Sequence, residues 1–366
     1  MEMKHSLYDK LQTLKPRGEA LDDQNRLKAM ERPLLSWYEE HRRILPWRED
    51  PKPYRVWISE IMLQQTRVEA VKPYFARFME ALPCIGDLSE VSEDELLKLW
   101  EGLGYYSRAK NLKKAAKLLV EQYGGELPAS YEELKKLPGI GSYTAGAIAS
   151  IAFGIPVPAV DGNVLRVISR VIGSKEDILK QSVKSGIEEK LKAVMPKEAA
   201  SSYNQGLIEI GAVVCIPNGA PLCDRCPLSL LCVAREKDLT GVIPVKTPKK
   251  PRKSEDKTVM LLWLKGRVAI RKREGTGLLA SLYEFPNAEG HLDEAQLLSY
   301  LQVKEGNIKE LPPSRHIFSH VEWNMTAYRI ELEEMPGGDY LWVTPEEIKK
   351  TYSLPGAFKA YTKLVR

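Results

Sequence analysis

The stretch that most constrains this chain is Leu137 to Val164, LPGIGSYTAGAIASIAFGIPVPAVDGNV. Just upstream, Ser130-Tyr-Glu-Glu133 has the form of a capping box, so a short helix is expected through Leu134 and Leu137. Pro138-Gly139-Ile140-Gly141 must end it, because glycine reaches backbone conformations that a Cβ resists. A second helix is expected from Ser142 to about Phe153, where Ala145, Gly146, Ala147 and Ala149 permit close packing. Helices joined by so tight a turn form a helix–hairpin–helix, and the N–H groups opening the second helix suit a phosphate. Beyond Pro156 and Pro158 a single acid follows in an apolar setting, Val160-Asp161-Gly162-Asn163. Alone, the turn reads as well as an αα-hairpin, and Asp161 as the N-cap of a helix opening at Val164.

The flanking pattern is helical too. Residues 1–25 are polar and read as an extension, and a helix is expected from Arg26 to about Arg43 on Leu27, Met30, Leu34, Leu35 and Tyr38. Leu45-Pro46-Trp47-Arg48 breaks it, and Pro51 and Pro53 are expected to keep the chain out of helix. From Tyr54 to Thr66, Ile58, Ile61, Met62 and Gln65 share a face with Glu60 beside them. Ser92-Glu-Asp-Glu95 is a second capping box, Gly102-Leu103-Gly104-Tyr105-Tyr106 a glycine loop with aromatics, and Arg108–Tyr123 a basic amphipathic helix. An all-α domain over 26–240 follows. Residues 241–257 interleave Lys246, Lys249, Lys250, Arg252 and Lys253 with three prolines and read as a basic tether. From Thr258 the period becomes two, with a hairpin turning at Lys265-Gly266, strands expected within His316–Leu332 and at Leu341–Val343, and helices near 293–301 and 345–351. The second domain, 258–366, is therefore α+β.

A length of 366 residues accommodates two such domains, and a net charge of +5 is compatible with nucleic acid without establishing it. No run of 18 apolar residues is present, so no membrane span is expected, and the mixed charges of the first residues do not resemble a secretory leader. A cytoplasmic location is expected. Four of the five cysteines form Cys215-x₇-Cys223-x₂-Cys226-x₅-Cys232. Four thiols in one loop suit zinc or an iron–sulfur cluster, although zinc sites usually use two C-x₂-C pairs and this loop has one.

The hairpin followed by Asp161 in a proline- and glycine-rich turn resembles the helix–hairpin–helix DNA glycosylase superfamily. Leu45-Pro-Trp-Arg48, Trp57-Ile-Ser-Glu-Ile-Met-Leu-Gln-Gln-Thr66, Gly102-Leu-Gly-Tyr-Tyr-Ser-Arg108, Val160-Asp-Gly-Asn-Val164 and Asn204-Gln205 are similar to the adenine-excising members of its endonuclease III/MutY branch. The lyases of that branch carry a lysine where this chain has Ser142-Tyr143-Thr144, so amine nucleophilic catalysis is not expected. The resemblance implies a monomeric enzyme on the nucleoid. Its partner would be double-stranded DNA in which adenine faces 8-oxoguanine or guanine. It implies a [4Fe-4S] cluster on the four cysteines, although the first gap is seven residues rather than six and lacks basic residues. Glu60 would be the general acid, kept protonated by apolar burial, and Asp161 an ionised stabiliser of the sugar cation, helped by backbone donors. Tyr143 and Asn163 would orient them. Gly139, Gly141 and Ser142 would hold DNA backbone. Gln65, Tyr105 and Leu103 would act as wedges, and Trp47 and Gln205 would line the adenine pocket. The second domain resembles the Nudix-like domain of the same branch through Gly277–Pro286, without the acidic run that hydrolysis needs. Phe318-Ser319-His320 would read the lesion. A related glycosylase acting on thymine or an oxidised pyrimidine, and a non-catalytic mismatch-binding protein, stay open as alternatives.

Overall fold

The computed structural model describes residues 21–248 and 251–365. The expected extension lies mainly outside them. Two compact units form, one from residues up to Phe75 together with Leu118–Pro248, the other from Ala76–Lys117 together with Lys249–Arg366.

The first unit is helical. The helix expected over Arg26–Arg43 is two helices, Asp23–Ala29 and Glu31–His41, meeting at Met30. Pro33 is the reason: it has no N–H to give Ala29 and its ring crowds that carbonyl, so a continuous ladder cannot pass. Pro53 corrects the expectation in the opposite sense. It occupies the first position of the helix Pro53–Leu63, where its missing N–H would have had no partner. The capping box at Ser130 forms by half. Ser130 Oγ accepts from Glu133 N, but the Glu133 carboxylate instead takes the Tyr123 hydroxyl at 2.8 Å and Lys136 Nζ at 2.6 Å.

The hairpin helix runs Ser142–Phe153, as expected, and ends on Gly154 in the left-handed region. The helices Gly162–Ile172 and Ala200–Val213 pack with Glu31–His41 around Leu34, Val164, Ile168, Tyr203, Leu207 and Ile210. Two glycines set the distances. A Cβ on Gly146 would collide with the Pro158 carbonyl, and one on Gly211 would lie 2.5 Å from Asn163 Cβ. The chain is thus held at backbone distance on both sides of Asp161, at Pro158 before it and at Asn163 after it.

The second unit is built on a sheet of strands β1 (Lys253–Leu264), β2 (Arg267–Lys272), β3 (Tyr283–Glu284), β4 (Asn287–Glu289), β5 (Asn307–Ile317), β6 (Val321–Glu331) and β7 (Leu341–Val343). Its main order is β3-β2-β1-β6-β5, with β1 and β6 parallel over eleven residue pairs from Lys253↔Val321 to Trp263↔Glu331. The alternation of β1 serves two cores: Val259 and Leu261 face Phe285, Trp323 and Phe358, while Met260 and Leu262 face Leu297, Leu301 and Ile330. The tether is shorter than expected. Residues 253–257 are already strand, and Val245 O accepts from Ile178 N at 3.1 Å within the helical unit.

Ala76–Lys117 packs with the sheet. Its helix Glu93–Leu99 is opened by the expected Ser92–Glu95 box. Ser353 Oγ donates to Leu97 O at 3.1 Å, and Leu354 N donates to Glu101 Oε1 at 2.9 Å. Lys98 Nζ donates to the carbonyls of Ile348 and Tyr352 at 3.1 and 3.0 Å.

Candidate active site

Glu60 lies in the last turn-and-a-half of the helix Pro53–Leu63, between Ile58, Ile61 and Met62, and is 7% exposed. Its Oε2 accepts from the Tyr143 hydroxyl at 2.6 Å. Tyr143 is there because the hairpin turn starts its helix one residue earlier, at Ser142. Asp161 caps the helix Gly162–Ile172. Its Oδ1 accepts from the amides of Asn163 and Val164 at 2.9 and 2.8 Å, and its Oδ2 from Asn163 Nδ2 at 2.7 Å. It is both a cap and a carboxylate at the site, so the two readings of its sequence position coexist.

Burial raises both acids. Desolvation pushes Glu60 up to about 7, against the Tyr143 hydrogen bond, with the charge of Asp161 adding to the rise and Arg48 opposing it. Desolvation raises Asp161 as well, against the bonds from Val164 and Asn163. The donors limit that rise instead of pulling Asp161 below its ordinary value. The asymmetry lies in the hydrogen bonds: three N–H donors serve the Asp161 carboxylate, one hydroxyl serves Glu60. At neutral pH Glu60 therefore keeps a substantial share of its proton, and Asp161, with more donors on its carboxylate, is the better placed of the two to carry the charge.

A framework of polar side chains fixes the pair. Asn204, 1% exposed, accepts from Ala159 N at 3.0 Å and donates to Ser150 Oγ at 2.8 Å and Val157 O at 2.9 Å. It ties the loop before Asp161 to the hairpin helix. Arg166 donates to Asn163 Oδ1 at 2.9 Å, Gly211 O at 2.7 Å and Cys215 O at 2.7 Å, joining the Asp161 turn to the first cysteine. Glu209 is wholly buried, its carboxylate taking Arg43 Nε at 2.5 Å, Arg43 Nη2 at 3.0 Å and Arg48 Nη2 at 2.8 Å. Trp47 is buried edge-on to Phe75. Gln205, half-buried, donates within its own helix to Ser201 Oγ at 3.1 Å.

At the hairpin, Gly139 takes φ +79° and Gly141 caps the helix in extended conformation without a side-chain bond. Ser142 Oγ donates to Glu188 Oε1 at 2.9 Å. Gln65, exposed just past the Glu60 helix, has φ +59°, and Tyr105 has φ +46°. Such backbone costs an L-residue roughly 1 kcal/mol or more and persists where the surroundings demand it. Leu103 is buried, and its carbonyl accepts from Arg108 Nη2 at 3.0 Å. Its side chain packs instead of projecting, unlike the other two residues expected as wedges.

In the sheet unit, Phe318-Ser319-His320 is the turn between β5 and β6. Phe318 is edge-on to His316 and Trp323, Ser319 and His320 are exposed, and Ser319 Oγ lies 3.2 Å from the Tyr105 hydroxyl. After Pro286 come β4 and the helix Glu294–Leu301, EAQLLSYL, with no acidic run.

The four cysteines are partly buried beside two arginines. Arg170 Nη1 donates to Cys215 Sγ at 3.2 Å, and Cys232 Sγ lies 3.4 Å from Arg170 O. Among the described residues no three thiol, imidazole or carboxylate side chains stand close enough together to hold a metal ion, but four thiols in one loop with a cationic donor on the first match the donor chemistry of an iron–sulfur group, whose sulfurs are stabilised by such bonds.

A sequence model of the HhH-GPD superfamily of base excision DNA repair proteins matches residues 58–194, and one of the NUDIX domain matches 258–364. The adenine DNA glycosylase of Rattus norvegicus is 33% identical, the alignment covering 88% of this chain and 75% of the rat protein. That of Homo sapiens is 34% identical over 86% of this chain and 70% of its own length. The chain belongs to the adenine DNA glycosylases.

An adenine DNA glycosylase of Buchnera aphidicola is 36% identical over 79% of this chain and 82% of its own. Among solved structures, a thermostable thymine-DNA glycosylase is 30% identical with a TM-score of 0.53, covering 58% of this chain and 97% of that one. An endonuclease III–DNA covalent intermediate gives 0.50 at 28% identity, covering 58% and 98%. Among the described residues no helix is long and apolar enough to cross a membrane. For this glycosylase, Arg166 and Glu209 had no assigned role in the sequence, and Asn204 entered only as part of the Asn204-Gln205 motif. Arg166 and Glu209 left the same signal, a charge inside an apolar run: Val164-Leu-Arg-Val-Ile168 and Leu207-Ile-Glu-Ile210.

Proposed function

We propose that this glycosylase excises adenine opposite 8-oxoguanine, and also opposite guanine, by hydrolysis and without lyase chemistry. It would act as a monomer on double-stranded DNA, in the cytoplasm with the nucleoid. An adenine in the duplex is out of reach, so it must be flipped out. Gln65 and Tyr105 would fill the gap, Gly139, Gly141 and Ser142 would hold the backbone, and Trp47 and Gln205 would face the extruded base.

Glu60 gives its proton to adenine N7. The C1′–N9 bond then breaks with its electron pair leaving on the base, which departs neutral. Asp161 faces the oxocarbenium-like sugar, and water adds at C1′, giving its proton to the Glu60 carboxylate, to leave an abasic site and restore the acid. Tyr143 orients Glu60, and Asn163 orients Asp161. No amine stands near this chemistry in Gly141-Ser-Tyr-Thr-Ala145, so no Schiff base and no strand cleavage follow. Ser319, with Phe318 and His320, would read the base opposite. Cys215, Cys223, Cys226 and Cys232 would hold a [4Fe-4S] cluster, which when bound cross-links their loop and takes no part in base release.

The observation that carries the reading is the buried Glu60–Tyr143 bond beside the capped Asp161. The test is single-turnover base release on duplexes with adenine opposite 8-oxoguanine, guanine or thymine, followed by alkali. Breaks that appear only after alkali, fastest opposite 8-oxoguanine, support it. Breaks before alkali, or release of thymine instead, refute it.

A further inference from the structure

The turn at Phe318-Ser319-His320 has one backbone bond of its own, Phe318 N donating to Val321 O at 2.8 Å. Two of its carbonyls are met from outside β5 and β6. Phe318 O accepts from Arg252 Nε at 3.0 Å, and His320 O accepts from Lys253 N at 3.1 Å. These donors are consecutive, the last residue before β1 and the first within it. The basic stretch therefore ends by closing this turn. The Lys253 amide is fixed by the parallel pairing of β1 with β6 and persists whatever the side chains are. Arg252 is different, because its contact is a side-chain guanidinium on a backbone carbonyl one residue before Ser319. Around it, Glu322 is engaged by Arg315, and the Ser319 hydroxyl meets Tyr105.

We infer that Arg252 is a positioning residue for lesion discrimination: its guanidinium holds the Phe318 carbonyl, and so fixes the direction in which Ser319 presents its hydroxyl to the base opposite adenine. The inference rests on the proposed role of this turn as the lesion reader. Without Arg252 the turn keeps the His320 bond, the Phe318 amide bond and the Phe318 ring packing, but the Phe318 carbonyl loses its donor, so the peptide joining it to Ser319 can tilt and Ser319 samples more orientations. The loss falls on 8-oxoguanine, whose added groups a directed hydroxyl can meet, and spares guanine. The competing role for an arginine at the end of a basic stretch is a phosphate contact, which positions without specifying.

The test uses the full chain with Arg252→Gln, Arg252→Lys and Ser319→Ala. Single-turnover adenine release is measured opposite 8-oxoguanine and opposite guanine at two salt concentrations, together with thermal melting. Arg252→Gln is expected to lower the 8-oxoguanine-to-guanine rate ratio about threefold to tenfold, the scale of one ordinary net hydrogen bond, since the contact is exposed. The rate opposite guanine, the salt dependence and the melting temperature should hold, and Arg252→Lys should recover part of the ratio by keeping a cationic donor. Equal losses on both duplexes with a shallower salt dependence overturn the inference in favour of phosphate contact. An unchanged ratio in Arg252→Gln, with a lowered ratio in Ser319→Ala, overturns it while leaving the turn as reader. An unchanged ratio in Ser319→Ala removes the reader and the inference with it.

Discussion

Asp161 and Ser319 anchor the two halves of the proposed activity, and they are held in opposite ways. Asp161 is a helix cap with three N–H donors on its carboxylate, and the chain on either side of it is fixed by Asn204 and by two glycines that admit no Cβ. Ser319 is exposed at a turn whose hydroxyl has one partner, at 3.2 Å, and whose carbonyl on one side depends on a linker arginine. Chemistry on a glycosidic bond needs charges that do not relax, and burial with redundant bonds supplies that. Reading an opposite base needs a group that can exchange its partner for the ligand at small cost, which a half-satisfied exposed hydroxyl supplies. Disturbing the first should therefore be costly, and disturbing the second selective.

The largest expected effect tests the rigid side. Asp161→Asn keeps a cap but removes the charge and turns an N–H₂ toward Asn163 Nδ2. Single-turnover base release should fall about 10³-fold or more, with duplex affinity by gel shift retained. An unchanged rate would remove Asp161 from the mechanism. Next, Glu60→Gln removes the proton donor and should cost about 10²- to 10⁴-fold. In the unsubstituted protein the rate should decline as pH rises past about 7, where Glu60 loses its proton.

Replacing Glu60 acts on stability in the direction opposite to its effect on rate. Its folded pKa is raised above the unfolded value near 4.5, so the folded state binds more protons between those limits. The stability contributed by its protonated form is present below about 4.5 and is lost as pH rises to about 7. At pH 8 the ionised carboxylate then costs about 3 kcal/mol, so Glu60→Gln should be more resistant to urea than the parent there, and no more resistant near pH 4. Equal urea midpoints at pH 8 would mean that the acid is better solvated than its burial indicates.

A smaller effect probes the packing beneath the pair. Gly211→Ala drives a methyl group into Asn163 and should destabilise by about 1–3 kcal/mol in urea titrations, with base release reduced. The smallest belongs to the flexible side. Ser319→Ala should leave stability within about 0.5 kcal/mol in the same titrations while lowering the preference for 8-oxoguanine. If Ser319→Ala instead slowed release on every duplex, the contrast between a rigid chemical half and an adaptable reading half would fail.

Most local structure was legible because it is written locally. The hairpin helix, the Ser92 box and the alternation of β1 each depend on residues within a few positions of one another. The Arg26–Arg43 segment was misjudged because apolar spacing continued through Pro33, where the ladder could not. Glu60 and Asp161 were legible as acids in apolar or capping settings, but the Tyr143–Glu60 bond spans 83 positions, and the Arg48–Glu209 bond spans 161. No periodicity carries a pairing of that reach. The same holds for Arg252, whose lysine- and proline-rich surroundings read as a tether and hid a side chain with a defined acceptor 66 residues away.

The packing of Ala76–Lys117 with the sheet has a consequence in time. Leu97 and Trp100 are buried, and Lys98 and Glu101 find acceptors or donors at Ile348, Tyr352 and Leu354, about 250 residues further along. A ribosome adding ~5–20 residues per second needs on the order of tens of seconds to cross that distance. During that interval the Leu97 carbonyl, the Lys98 ammonium and the Glu101 carboxylate wait for partners that have not been synthesised, so this part of the sheet unit closes only when the last residues emerge.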